Sequence, residues 1–177
     1  MLSQDVRLMA NYNVWMNIKV LDAAMLRSDD ELLLDRRAFF GSILGTLNHL
    51  IVADTLWLKR FATLEAQREV LAPVLALEMP TSLNQVMFTD IKALATHRKM
   101  LDQMIVDMAA NMSESSLTEI LHYTNSAGVV SAKSFSSVLI HFFNHQTHHR
   151  GQVTTLLTQT GVDVGITDLI TLIPNEV

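Results

Sequence analysis

Apolar residues recur at intervals of three and four from the start of the chain, the spacing that turns one face of a helix toward a core. Leu8, Tyr12, Trp15, Ile18 and Leu21 keep this rhythm. Ser3 or Asp5 stands ahead of them where a cap belongs, so a first helix is predicted to about Arg27. Ser28-Asp29-Asp30 is a polar connection, and a short segment follows over residues 32–35. A second helix is predicted over residues 40–68, carrying Leu44, Leu47, His49, Ala53, Leu56, Trp57 and Leu64. Pro73 and Pro80 bracket a loop-like stretch. Thr81 or Ser82 then caps a third helix to about Ala110, with Val86, Ala93, Met100, Met104 and Met108 as its apolar positions. From Leu117 to Lys133 the character changes. Thr118 to Thr124 is β-rich, Asn125-Ser126-Ala127-Gly128 is a turn signal, and Val129-Val130 follows, which predicts a short hairpin. Ser134 caps a fourth helix over residues 135–160, closed by Gly161, and the tail over residues 162–177 is expected to pack along the bundle.

Four long helices define an all-α four-helix bundle, with a small β-hairpin inserted before the last long helix. The 177 residues fit a single domain. Apolar residues make up 49% and charged residues 18%, which excludes intrinsic disorder. No apolar run approaches the roughly 18 residues of a membrane span. Surplus apolar surface therefore points to self-association. The first and fourth helices are the natural contact surfaces, with Ile140 and Phe143 outside the core-facing arc. The net charge of -5 and 13 unclustered Lys and Arg leave no electrostatic footprint for nucleic acid. The absence of cysteine excludes disulfides, thiolate ligands and a cysteine nucleophile. Met1-Leu2-Ser3-Gln4-Asp5 lacks the order of a signal peptide, so a cytoplasmic location is expected.

Histidine is the informative residue type. Of seven, four fall within nine residues: His141, His145, His148 and His149. At about 100° per residue, with His141 at the origin, His145 falls at about 40°, His149 at about 80° and His148 at about 340°. Val138, Phe142, Phe135, Leu139, Val153, Leu156 and Leu157 occupy an arc of roughly 60° to 160°, the core side of the helix. His149 lies inside this arc and His145 at its edge, whereas His141 and His148 point outward. Two imidazoles four residues apart share a face, and their neutral nitrogens suit zinc, nickel, copper or ferrous iron. A His-x-x-x-His pair alone is common in helices that bind nothing. His49 is the candidate third ligand, on the inward face of the second helix with Ala53, Leu56, Arg60 and Leu64. Other schemes fail on spacing. Glu119-Ile-Leu-His122 lacks the second such element and the two further glutamates of a di-iron bundle. His-Glu-x-x-His, a Gly-rich phosphate loop and Gly-x-Ser-x-Gly are absent. The ten methionines read as adaptable core filler.

Three blocks of sequence carry a resemblance. They are Tyr12-Asn13-Val14-Trp15-Met16-Asn17; Leu47-Asn48-His49-Leu50 with Asp54, Trp57 and Arg60; and Phe143-Asn144-His145-Gln146-Thr147-His148-His149-Arg150-Gly151-Gln152. In these the chain resembles the DinB/YfiT-like superfamily of DNA-damage-inducible-type proteins, and Thr167-Asp168-Leu169-Ile170 also fits. The resemblance implies an up-down-down-up bundle, usually dimeric, with a divalent metal ion (zinc, nickel or iron) held by His49, His145 and His149. Some relatives are thiol-dependent transferases or isomerases. A metal-dependent enzyme of the thiol S-transferase or hydrolase type is therefore expected. Any thiol would arrive as a small-molecule cosubstrate, because the chain has no cysteine. The alternative is a non-catalytic, dimeric, stress-related binding or scaffold protein with a structural or vestigial metal site. Trp57 and Arg60 read as core packing and a surface or interface charge. Gln152, at about 20° on the helix, lies close to His145 and is a candidate outer-sphere group. Ligating imidazoles must be deprotonated, so metal affinity is expected to fall below about pH 6.

Overall fold

Val6, Ala10, Asn13, Asn17, Val20 and Ala24 alternate at spacings of four and three and are all buried. They form the inner stripe of α1 (Ser3–Ala24) in the computed structural model, which describes residues 1–125 and 127–175. Ile18, expected on that stripe, is instead exposed, because the stripe runs through two asparagines that hydropathy alone passes over. Leu2 is the N-cap of α1, and Asp5 closes the first turn by accepting the Leu2 N–H at 2.7 Å. Ser28 caps α2 (Asp29–Leu33), its hydroxyl accepting from the Glu31 N–H.

The second long helix, α3 (Ile43–Phe61), is shorter at both ends than the predicted 40–68. At its start the chain turns sharply through Arg37 and Gly41, both with positive φ, and Ser42 takes the cap by accepting the Gly45 N–H. At its end the hydroxyl of Thr63 bonds the Arg60 carbonyl, and the chain leaves through a single 3₁₀ turn at Glu65–Gln67. The short α4 (Ala72–Leu75) follows, with Pro73 in its first turn. The third long helix, α5 (Ile91–Ala110), begins well after the predicted Thr81 or Ser82. Asp90 is its cap, accepting the Ala93 N–H at 2.6 Å. Thr81 instead donates its N–H and hydroxyl to the Gln85 side chain, closing a local turn. Val86 and Ala93 are consequently exposed, and the inner face of α5 is formed by Ile91, Leu94, Arg98, Leu101, Ile105 and Met108.

The hairpin is present as expected. β1 (Ile120–Thr124) pairs antiparallel with β2 (Val130–Ser134), Tyr123 opposite Ser131. In the turn, the Asn125 side chain accepts the N–H groups of Ala127 and Val129, and Gly128 has positive φ. Ser126 lies outside the described residues, as do Glu176 and Val177 of the tail. The last long helix, α6 (Phe135–Gln159), ends at Gly161 in the left-handed region. Tyr12 donates its hydroxyl to the Thr167 carbonyl at 2.7 Å, which fastens the tail along α1.

Long-range hydrogen bonds fix the directions of the four long helices. The Ser3 N–H meets Glu114, so α1 and α5 are antiparallel. Arg27 meets Thr160, so α1 and α6 are parallel. Asn48 meets Phe88 and Asn111 meets Ala66, so α3 and α5 are parallel. His49 meets His145 and Phe61 meets Phe135, so α3 and α6 are antiparallel. The result is an up-down-down-up bundle. Phe61, Phe135, Phe142 and Phe143 are fully buried in its core. Phe143 thus belongs to the interior rather than to a self-association surface, because the buried arc of α6 extends past the predicted edge, through Arg150 at about 180° to Phe143 at about 200°. Ile140 is exposed. Among the described residues no helix is long and apolar enough to cross a membrane.

Candidate metal centre

His49 lies in the second turn of α3, and its neighbour Asn48 decides what surrounds it. The Asn48 carbonyl oxygen accepts the N–H groups of Met87 and Phe88 at 2.8 and 2.9 Å, and its amide donates to the Phe88 carbonyl at 2.8 Å. This buried amide acts as a strand partner for the segment ahead of α5 and draws it across α3. The Leu83 carbonyl is thereby delivered to His49, whose Nδ1–H donates to it at 2.8 Å. The turn before α3 supplies a second wall. Phe40 stacks on the His49 ring with centroids 3.8 Å apart and meets His149 edge-on at 5.4 Å. A side chain at Gly45 would overlap the Phe40 carbonyl, so glycine is required for this close approach.

From α6, His145 and His149 face the same point. Nitrogen atoms of His49, His145 and His149 all lie within 4.8 Å of one another. The Nε2 atoms of His49 and His145 are 3.1 Å apart. Two nitrogens bound to one tetrahedral zinc ion would be about 3.3 Å apart, given Zn–N bonds of about 2.0–2.1 Å, so the spacing fits a shared ion. Two of the three outer nitrogens are also occupied, as a ligand set requires. Leu83 holds the Nδ1 proton of His49, and His149 donates Nδ1–H to the Gln152 amide oxygen at 2.8 Å. Each of these rings therefore turns an Nε2 lone pair inward. The orientation of Gln152 is fixed from its other end, where its amide donates to His148 at 3.2 Å. Gln152 is thus an outer-sphere partner, but of His149 rather than His145.

Burial and the neighbouring imidazoles of His149 and His49 push His145 down to about 3, and burial also lowers His49 and His149. The cluster is neutral near pH 7, the state in which imidazole binds metal. His141 and His148 are exposed and stay outside the cluster; the His141 ring is 5.9 Å from that of His145. The chemistry of this donor set is that of a site open to a further ligand, since three neutral nitrogens leave a divalent ion unneutralised. A hollow of about 210 Å³ adjoins it, walled by His49, His145, His141, Trp57 and Tyr123 among others.

Beneath the cluster lies a polar layer that hydrophobic spacing did not announce. Asn13 and Asn17 of α1, Asp54 of α3, Arg98 and Asp102 of α5, and Gln146 and Arg150 of α6 are all buried. Asp102 accepts from both asparagines at 3.0 and 2.8 Å. Arg98 bridges Asp54 at 2.5 Å and Asp102 at 3.0 Å. Gln146 donates to Asp54 at 2.9 Å, and Arg150 donates to Asn13 and lies over the Tyr12 ring. Burial lowers Arg150 to about 10, which leaves it charged at neutral pH. Two carboxylates and two guanidiniums therefore balance within the core. Their signal in the sequence was indirect: Asn13 and Asn17 sit on the stripe of α1, while on α6 Gln146, at about 140°, lies inside the apolar arc and Arg150, at about 180°, just beyond it.

An up-down-down-up bundle with three convergent imidazoles near one end is a helical protein built around a candidate metal centre. The chain belongs to the DinB family, which it matches over residues 1–175. It is 25% identical over 166 residues to Protein DinB of Bacillus subtilis (strain 168), covering 89% of this chain and 87% of that protein. The crystal structure of a DinB-like protein from Bacillus cereus ATCC 10987 has the same fold, with a TM-score of 0.58 and 24% identity, covering 88% of this chain and 91% of that one.

Proposed function

We propose that the protein binds one divalent metal ion through His49, His145 and His149 and uses it as an enzyme on a small molecule, with thiol S-transfer as the leading reaction type and hydrolysis as the other. The observation that carries this reading is the pairing of an imidazole cluster, two of whose outer nitrogens are already engaged, with a hollow that reaches it. A purely structural metal site has its coordination closed by side chains, and among the described residues three are assembled here. When bound, such an ion supplies a Lewis acid that lowers the pKa of a coordinated thiol or water. The chain's own residues do the rest. Leu83 and Gln152 hold two rings in the ligating tautomer, and Phe40 keeps water from one side of the cluster.

The test is turnover by metal-loaded protein offered a low-molecular-weight thiol with an electrophilic acceptor and, separately, an activated ester. Consumption of either substrate that requires metal and is lost in His149→Ala supports the proposal. Metal-independent rates equal in wild type and variant, or no turnover of either substrate class, contradict it.

A further inference from the structure

Arg60 lies about three turns beyond His49 on the same face of α3, with Ala53 and Leu56 between them at helical spacing. Its environment is unusual for a surface cation. The guanidinium carbon is 4.6 Å from the Trp57 ring centroid and 4.8 Å from that of Tyr123, so two aromatic rings hold it. Its hydrogen bond to protein is a long one, from Nη2 to the Thr124 carbonyl at 3.5 Å. Among the described residues the Arg and Lys ion pairs with carboxylates are those of Arg98, so Arg60 has no carboxylate partner. Burial lowers its pKa from the ordinary value, consistent with a partly dehydrated cation. A guanidinium held between two rings, with unused donors facing a cavity, is a binding group awaiting an anion.

The cavities show where that anion would come from. Arg60 lines the hollow that also contains His49 and His145. The same residue lines a larger cleft of about 480 Å³, which shares Leu56, Leu83, Tyr123 and Asn125 with the hollow as wall residues. A molecule in the hollow would reach the imidazole cluster at one end and Arg60 at the other. We propose that Arg60 anchors the carboxylate of a small-molecule substrate whose opposite end lies at the three-histidine cluster. A carboxylate fits better than a phosphate. One guanidinium balances one negative charge, its planar fork matches a planar carboxylate, and the nearby Lys59 ammonium is turned toward the Leu75 carbonyl. The alternative role for Arg60 is to glue the hairpin to α3 through Trp57 and Tyr123, which would affect folding but not ligand choice. The identity of the far end rests on the proposed metal site; the carboxylate anchor does not.

The test compares 6-mercaptohexanoate with its neutral counterpart 6-mercaptohexan-1-ol, binding measured by calorimetry to zinc-loaded and metal-free protein. Wild type should prefer the carboxylate by about tenfold or more, as expected for a charge-assisted bidentate contact. The preference should fall toward unity in Arg60→Gln and be partly kept in Arg60→Lys, with zinc content and affinity for the alcohol unchanged. Equal affinities in wild type, survival of the preference in Arg60→Gln, or tighter binding of hexyl phosphate would overturn the proposal. The wild-type comparison decides the matter even if a variant fails to fold. Absence of zinc uptake would sink the metal reading alone, because the carboxylate preference is then read on metal-free protein.

Discussion

An imidazole becomes a useful ligand when something else holds its second nitrogen. His145 and His149 could be picked from four neighbouring histidines by helix geometry alone, because both positions lie on or beside the apolar arc of a continuous helix. Of the partners of the rings, only Gln152 could, and helix spacing places it beside His145 rather than His149. The Leu83 carbonyl is a backbone group in a loop, and Phe40 reaches His49 only because the chain turns at Arg37 and Gly41. The burial of the cluster has a pH signature. In the unfolded chain each imidazole takes up a proton near 6.5, whereas folded His145 resists protonation down to about 3, so the unfolded state binds more protons across that interval. The metal-free protein should therefore keep its full stability above about pH 6.5 and lose it progressively as the pH falls toward 3, by at most about 1.4 kcal/mol per pH unit for one protected imidazole. Urea midpoints of wild type and His145→Gln between pH 7 and pH 4 isolate this contribution from the carboxylates. A flatter profile in the variant is expected, and parallel profiles would show that His145 titrates normally. In a metal-binding cluster the same depression would move the onset of proton competition below the pH 6 expected of free imidazoles.

Helix existence and type were readable from spacing, but helix ends were decided by polar side chains in contact with distant segments. The stretch from Thr81 to Asp90 has capping residues and a suitable Val86, yet it does not become helix because Asn48 binds its backbone from another element. The inner faces of α1 and α5 also carry polar groups where hydropathy leads one to look for Ile18 and Ala93. These groups make the four helices interdependent, since Asp54, Arg98, Asp102 and Arg150 come from three of them and are joined to the fourth through Asn13 and Asn17. Arg98→Ala would leave two carboxylates buried without their cation and should cost about 3–5 kcal/mol. Chemical denaturation checks this; a loss below about 1 kcal/mol would mean that the layer is hydrated and energetically slack.

The bundle as a whole gathers the sequence blocks that first suggested its family into two adjoining layers: imidazoles toward the cleft, and a charge-balanced polar layer below them. The tyrosine and asparagines of the first block and the arginine of the last serve the lower layer. His49 of the second block and His145 and His149 of the last form the upper one. The hairpin, read from its β-rich composition, contributes Tyr123 to the cleft wall, a role that depends on how β1 packs on α3 and could not be inferred locally. The whole functional account depends on an ion shared by residues from two antiparallel helices. Metal content per chain, measured by elemental mass spectrometry after equilibration with zinc and removal of excess, addresses this directly in wild type and in His49→Ala, His145→Ala and His149→Ala. One ion per chain in wild type, lost in each variant while circular dichroism shows the helices intact, is the expected result. Equal metal content in all four proteins, or none in wild type, would contradict the account.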